Sequence, residues 1–223
     1  MYQGHADRVV VYRDDCKVEF KDEITVLPEE VELFDNLNTL ALTFKNLDLA
    51  ASIRSLAKLP FLGRLYLKSC GYAELTPEIK KLRSLVLLDV ANSTSTLWQD
   101  NNLTTLPPEI GSLKQLRTLC LNNNRNFKFF PPEVANLTKL TKINLRGCKS
   151  LPENIHLIPS IETLDLYESN VNPKDLTPLI ARPNGLKWIT VAEAGSNLYK
   201  KLKDDFPDFT VYVEPYPTLR EGW

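Results

Sequence analysis

The chain is short of the residues that most chemistry needs. It has two histidines, His5 and His156, far apart in sequence, and one methionine. No HExxH or CxxC spacing occurs, so neither the common zinc-protease nor the zinc-ribbon pattern is present. Only eight glycines occur, with no GxSxG elbow, no GxxxxGK[ST] loop and no GxGxxG turn. No apolar run reaches the roughly 18 residues that a membrane span requires. The first fifteen residues, MYQGHADRVVVYRDD, contain no apolar h-region of a secretory signal. There is no excess of charge of either sign. The net charge is -1, which argues against a nucleic-acid-binding stripe. The four cysteines, Cys16, Cys70, Cys120 and Cys148, are dispersed, as expected of reduced thiols in an intracellular protein. These absences leave no candidate catalytic residue, metal ligand or cofactor site. The expectation is a non-enzyme without cofactor or membrane span.

What the sequence has in quantity is leucine at fixed intervals. The stretch Leu103–Asn124, LTTLPPEIGSLKQLRTLCLNNN, has counterparts on both sides. The pattern LxxLxLxxN, with Ile, Val, Cys or Ser tolerated, begins at Leu37, Leu62, Leu85, Leu116, Leu140, Ile161 and Leu186. Successive starts lie 25, 23, 31, 24, 21 and 25 residues apart. The long interval holds an insertion, Ser93–Asp100, which carries Leu97 and Trp98. A period of this size marks a stack of identical supersecondary units.

Alternation assigns the faces. In Leu116–Leu121, Leu119 and Leu121 are two apart and share one side of a strand, so Thr118, Cys120 and Asn122 share the other. In the return arm, Ile110, Leu113 and Leu116 recur every three residues, which suits a short 3₁₀ turn. Glu78, Glu109, Glu133 and Glu153 follow prolines, where carboxylates suit a helix N-terminus. One such unit cannot cover its own apolar faces; stacking covers them. The asparagine that ends each unit is expected to turn inward and satisfy backbone groups. Asn124 and Asn101 hold that position, and Cys70 and Cys148 replace it as weak donors.

With these residues in view, the chain resembles an intracellular leucine-rich-repeat protein. LPPEIGSLKQLRTLCLNNN is similar to the 23-residue repeat of Ras-suppressor-like and plant intracellular types. Leu145–Pro152, LRGCKSLP, resembles repeats of plant intracellular immune receptors. The resemblance implies an α/β leucine-rich-repeat solenoid: a curved right-handed superhelix, with a parallel sheet on the concave face and short helices or 3₁₀ turns on the convex face. It also implies a cytoplasmic location and a protein partner such as a GTPase, phosphatase, kinase or immune component.

Three segments are expected. Residues 1–21 form an N-terminal cap containing Val9–Tyr12, Val18 and Phe20. Residues 22–213 form seven to eight repeats ending in a capping strand. Residues 214–223 form a tail. From Pro173 the arms lengthen, and Leu198, Leu202 and Phe206 at spacing four predict an amphipathic helix.

Function then falls to the open side of the strands. Two patches stand out there. One joins Arg64, Tyr66 and Lys68 to Leu87 and Asp89; the other joins Lys142, Arg146, Asp165, Tyr167 and Trp188. Asn122 lies between them, and Trp98 is expected at the adjoining rim. Aromatic residues beside arginine are typical of binding hot spots, and the mixed charge signs suit a protein surface rather than a phosphate polymer. The reading is a non-catalytic interaction module, an adaptor in intracellular signalling, acting as a monomer or within a hetero-complex. The alternative is a structural subunit of a large assembly, docked through its repeats and caps.

Overall fold

The computed structural model describes residues 9–13, 16–20, 25–42, 47–92, 100–183, 185–192 and 196–213, the first two segments by their backbone alone. Among the described residues ten strands form one sheet. β1 (Val9–Arg13) and β2 (Cys16–Phe20) form an antiparallel hairpin at one edge. β3 (Thr39–Leu42) is antiparallel to β1. From there each strand adds in parallel to the one before it: β4 (Arg64–Tyr66), β5 (Leu87–Asp89), β6 (Thr118–Cys120), β7 (Lys142–Asn144), β8 (Thr163–Asp165), β9 (Trp188–Val191) and β10 (Thr210–Val213). The fold is a leucine-rich-repeat solenoid, and the register is the repeat itself. Leu40, Leu65, Leu88, Leu119, Ile143, Leu164 and Ile189 pair in one row and are all fully buried.

The return arms follow the proline signals. 3₁₀ turns occupy Pro77–Lys81, Pro108–Ser112 and Pro132–Asn136, each with proline at its first position, where the missing N–H costs no hydrogen bond. Glu78, Glu109 and Glu133 lie in these first turns. Glu153 does not. It precedes the turn at Ile155–Leu157, and its backbone bridges Phe129. Adjacent turns pack closely: a Cβ on Gly111 would lie 2.5 Å from Glu133 O.

Among the described residues three arms are α-helical. α1 (Leu49–Leu56) is capped by Asp48, whose side chain accepts from Ala51 N–H, and buries Leu49, Ile53 and Leu56. α2 (Thr177–Ile180) continues a 3₁₀ turn at Pro173–Leu176. α3 (Asn197–Asp205) is the expected amphipathic helix, capped by Ser196, with Leu202 fully buried. The α1 helix was not anticipated from the repeat pattern, although Asp48 followed by Leu49, Ile53 and Leu56 is a legible capped helix. Among the described residues no helix is long and apolar enough to cross a membrane.

Where the strands end, the chain turns through left-handed backbone at Ser69, Asn123, Gly147 and Glu168, with φ between 50° and 68°. The next position carries the inward ladder. Asn101 makes four hydrogen bonds: its Nδ2 donates to Leu67 O and Val90 O, and its Oδ1 accepts from Cys70 N–H and Tyr72 N–H, all at 3.0–3.1 Å. Asn124 Nδ2 donates to Val90 O and Leu121 O. The Cys70 thiol donates to Leu42 O, and the Cys148 thiol to Leu121 O. Cys148 is pushed up to about 12 by burial, so its thiol stays protonated, as the donor role requires.

Asn92 holds the base of the insertion. Its Oδ1 accepts from Asn101 N–H at 2.6 Å, and its Nδ2 donates to Asn101 O at 2.9 Å and to Asn123 O at 3.2 Å. The backbone of Asn92 also joins the next coil, with its N–H donating to Asn122 O. Asn92 and Asn101 are therefore joined directly within the stack. This use of Asn101 N–H has a cost. Asn124 Oδ1, buried one coil on, finds no donor among the described residues.

Candidate concave binding face

The side chains that alternate away from the core line the open face of the sheet, and the register fixes three rows. Arg64, Leu87, Thr118, Lys142, Thr163, Trp188 and Thr210 form the first. Tyr66, Asp89, Cys120, Asn144, Asp165, Thr190 and Tyr212 form the second. Lys68, Asn122, Arg146 and Tyr167 lie just beyond the strand ends. The residues chosen from the sequence thus share one surface, apart from Trp98, which lies outside the described residues.

They do not share one exposure. Arg64, Lys68, Lys142 and Trp188 are exposed, and Tyr66, Asn122 and Arg146 are half-buried. Asp89, Asp165 and Tyr167 are buried, at 2%, 2% and 8% exposure. This corrects the expectation that every side chain on this face is presented for binding. Strands about 4.8 Å apart let a long side chain lie over a shorter neighbour. Lys68 Nζ reaches over to Asp89 Oδ2 at 3.0 Å. The Arg146 guanidinium lies 3.7 Å from the Tyr167 ring centroid, a stacked cation–π contact. Cys120, also on this face, is 2% exposed.

The two buried aspartates have a structural use. Asp89 Oδ1 accepts from Ala91 N–H, and Asp165 Oδ1 from Tyr167 N–H, each at 3.0 Å. Asn144 Oδ1 does the same for Arg146 N–H. An Asx side chain at the end of a strand can close a turn onto the backbone two residues on. That recurrence was readable in the sequence, because Asp89, Asn144 and Asp165 share one repeat position. Burial still pushes the Asp89 carboxyl up, although Lys68 and the Ala91 N–H act in the opposite direction. Burial also raises the Tyr66 phenol and the Cys120 thiol.

Two exposed features were missed by sequence reasoning. Tyr212 on β10 is 55% exposed and meets Trp188, 37% exposed, edge to face, with ring centroids 6.1 Å apart and planes at 87°. Extending the strand rows by one strand would have found it. Arg117, exposed just before β6, is a cation at the strand N-terminal rim whose backbone O accepts from Lys142 N–H. Among the described residues no group of three or more His, Cys, Asp or Glu could hold a metal ion.

The solenoid, its inward Asn/Cys ladder and this open face define the class: the chain is a leucine-rich-repeat protein, built on a protein-interaction fold. Curated relatives include plant disease-resistance and receptor-like proteins. The chain is 31% identical to the disease resistance-like protein DSC1 of Arabidopsis thaliana over 173 residues, 74% of this chain and 13% of that one. It is 34% identical to the TMV resistance protein N of Nicotiana glutinosa over 139 residues, 62% of this chain and 12% of that one. The chain therefore spans about an eighth of the length of these relatives. Among solved structures, a leucine-rich-repeat protein of Leptospira interrogans matches with a TM-score of 0.56 and 26% identity, covering 77% of this chain and 42% of that one. An internalin of Listeria monocytogenes matches at 0.53 and 20% identity, covering 75% and 45%, and shares the fold. No family model matches the chain.

Proposed function

We propose that this protein is a non-catalytic interaction module that holds a protein partner on its concave face, acting as an adaptor in intracellular signalling. One observation carries the reading: the exposed Trp188–Tyr212 pair on the open side of the sheet. Large aromatic groups presented to solvent are among the side chains on which binding energy concentrates. The likeness to plant resistance proteins supports an immune or signalling setting. The test is affinity capture from the native source with the wild-type chain and with Trp188→Ala combined with Tyr212→Ala. Both side chains are surface groups, so the melting temperature should hold while the captured partner is lost. Equal capture by the two forms would remove the concave face as the site.

A further inference from the structure

Past its strand, each coil but one fills the interior with an apolar side chain of its own. Leu47, Tyr72 and Val171 stand seven residues after the row residues Leu40, Leu65 and Leu164. Phe127 and Leu151 stand eight after Leu119 and Ile143, and Leu103 serves the coil of Leu88. Leu47, Leu103, Phe127 and Val171 belong to the buried core, and Tyr72 and Leu151 pack against it. In the coil of Ile189 the residue seven on is Ser196. Its hydroxyl accepts from Tyr199 N–H at 3.2 Å and caps α3. The repeat's apolar side chain is missing there.

A cavity of about 420 Å³ opens at this place, with Ser196 in its lining. That volume is within the range of about 300–1,000 Å³ found for ligand pockets. The core residues Leu166, Val171 and Val191 line it, and Leu198, half-buried, borders it without filling it. Its other lining residues are polar. Glu168 and Lys201 are exposed and of opposite sign, and Asn170 and Asn197 are exposed amides. None of these four side chains has a hydrogen bond or ion pair to another described residue. The cavity is therefore apolar inside, amide-rich outside, and without net charge.

We infer that this cavity is an anchor pocket that takes one leucine, isoleucine or phenylalanine side chain of a protein partner, in place of the side chain that this coil lacks. This rests on the reading of the protein as an interaction module and adds where and by what the partner is held. The cavity is larger than the missing side chain, so it admits that side chain with the backbone carrying it. The apolar group leaves water for a recess that is already formed. The partner's backbone N–H and C=O groups meet the amides of Asn170 and Asn197 at the mouth. A charged side chain would lose its hydration inside and find no counter-charge there.

The test titrates the full chain with blocked amino acids, followed by NMR of its backbone amides. N-acetyl-leucinamide should bind saturably and in the millimolar range, as a ligand of about a dozen non-hydrogen atoms allows. It should move the signals of Ser169–Val171 and Asn197–Lys201. N-acetyl-glycinamide and N-acetyl-lysinamide should bind about tenfold more weakly or worse. Ser196→Leu restores the repeat's side chain, and Ala192→Phe puts a ring on another lining position. Each should weaken N-acetyl-leucinamide about tenfold or more while the chain still melts cooperatively. If one variant fails to fold, the other and the wild-type series decide. No saturable binding, equal binding of the leucine and glycine probes, or unchanged binding in a folded Ser196→Leu overturns the pocket. Tighter binding of free leucine than of the blocked form overturns a partner's side chain as the occupant. The two readings fail separately. If the probe does not bind while capture from the native source still depends on Trp188 and Tyr212, the anchor falls and the concave face stands. If the probe binds and Ser196→Leu loses a partner that the aromatic variant keeps, the anchor stands and the concave face falls.

Discussion

Truncating one asparagine of the inward ladder should unsettle the whole stack, and two members of the ladder should differ in a defined order. Asn101 is 3% exposed and holds four backbone groups from two stretches of chain, Leu67–Tyr72 and Val90. In Asn101→Ala, Val90 O keeps its bond from Asn124 Nδ2, but Leu67 O, Cys70 N–H and Tyr72 N–H lose theirs. A buried polar group left unpaired costs about 1–3 kcal/mol. Three of them set the loss at about 3 kcal/mol or more. For a chain of this size that corresponds to a fall in melting temperature of about 6–12 °C. Asn124→Ala removes the same atoms but strands less. Val90 O retains Asn101 Nδ2, Leu121 O retains Asn124 N–H at 3.1 Å, and the partnerless Oδ1 disappears. Its cost should be about 1 kcal/mol plus the lost packing common to both variants. Urea unfolding followed by circular dichroism, run on both, measures the difference. Equal losses, or a larger loss for Asn124→Ala, would refute the assignment of the ladder's hydrogen bonds.

Gly111→Ala should lower stability by about 1–3 kcal/mol, because its methyl would press on Glu133 backbone; a thermal melt checks it. Tyr167→Ala, unlike Trp188→Ala, should lower the melting temperature by several degrees, since Tyr167 is 8% exposed under Arg146. An unchanged melt would mean that the ring is not a packed part of the face. Asp89→Asn should cost little or stabilise, because the amide still accepts from Ala91 N–H and no charge is buried. The folded carboxyl is raised, so it binds its proton more tightly than in the unfolded chain. In the wild type this group adds stability as pH falls through its folded value toward the unfolded one; urea titrations at several pH values should show that slope vanish in the variant. Adding eight Gly/Ser residues inside the Ser93–Asp100 segment should move the melt by no more than about 2 °C, since doubling a loop costs about 0.6 kcal/mol. Asn92→Ala should cost more, through the lost bonds to Asn101 and Asn123.

The repeat was legible because its cause is periodic. Each LxxLxLxxN start placed a strand where one was found, and Ile110, Leu113 and Leu116 at spacing three announced the 3₁₀ arm at Pro108–Ser112. The ladder roles of Asn101, Asn124, Cys70 and Cys148 followed from the same logic. Exposure was less legible. Alternation tells which way Asp89, Asp165 and Tyr167 point, but not that Lys68 and Arg146 lie over two of them. That depends on lateral contacts between coils about 23 residues apart, which a one-dimensional pattern does not encode. Tyr212 was overlooked for a simpler reason, that the rows were stopped one strand short of β10.

The Asn92 amide fastens Asn92 and Asn101 to each other within the coil, whatever lies between them in sequence. A single amide supplies there the bonding that an unbroken turn would have supplied with its own backbone. Mutation is thereby free to lengthen, shorten or rewrite the sequence between them while the winding above and below keeps its pitch. A lineage could vary that sequence without first finding a new way to fold.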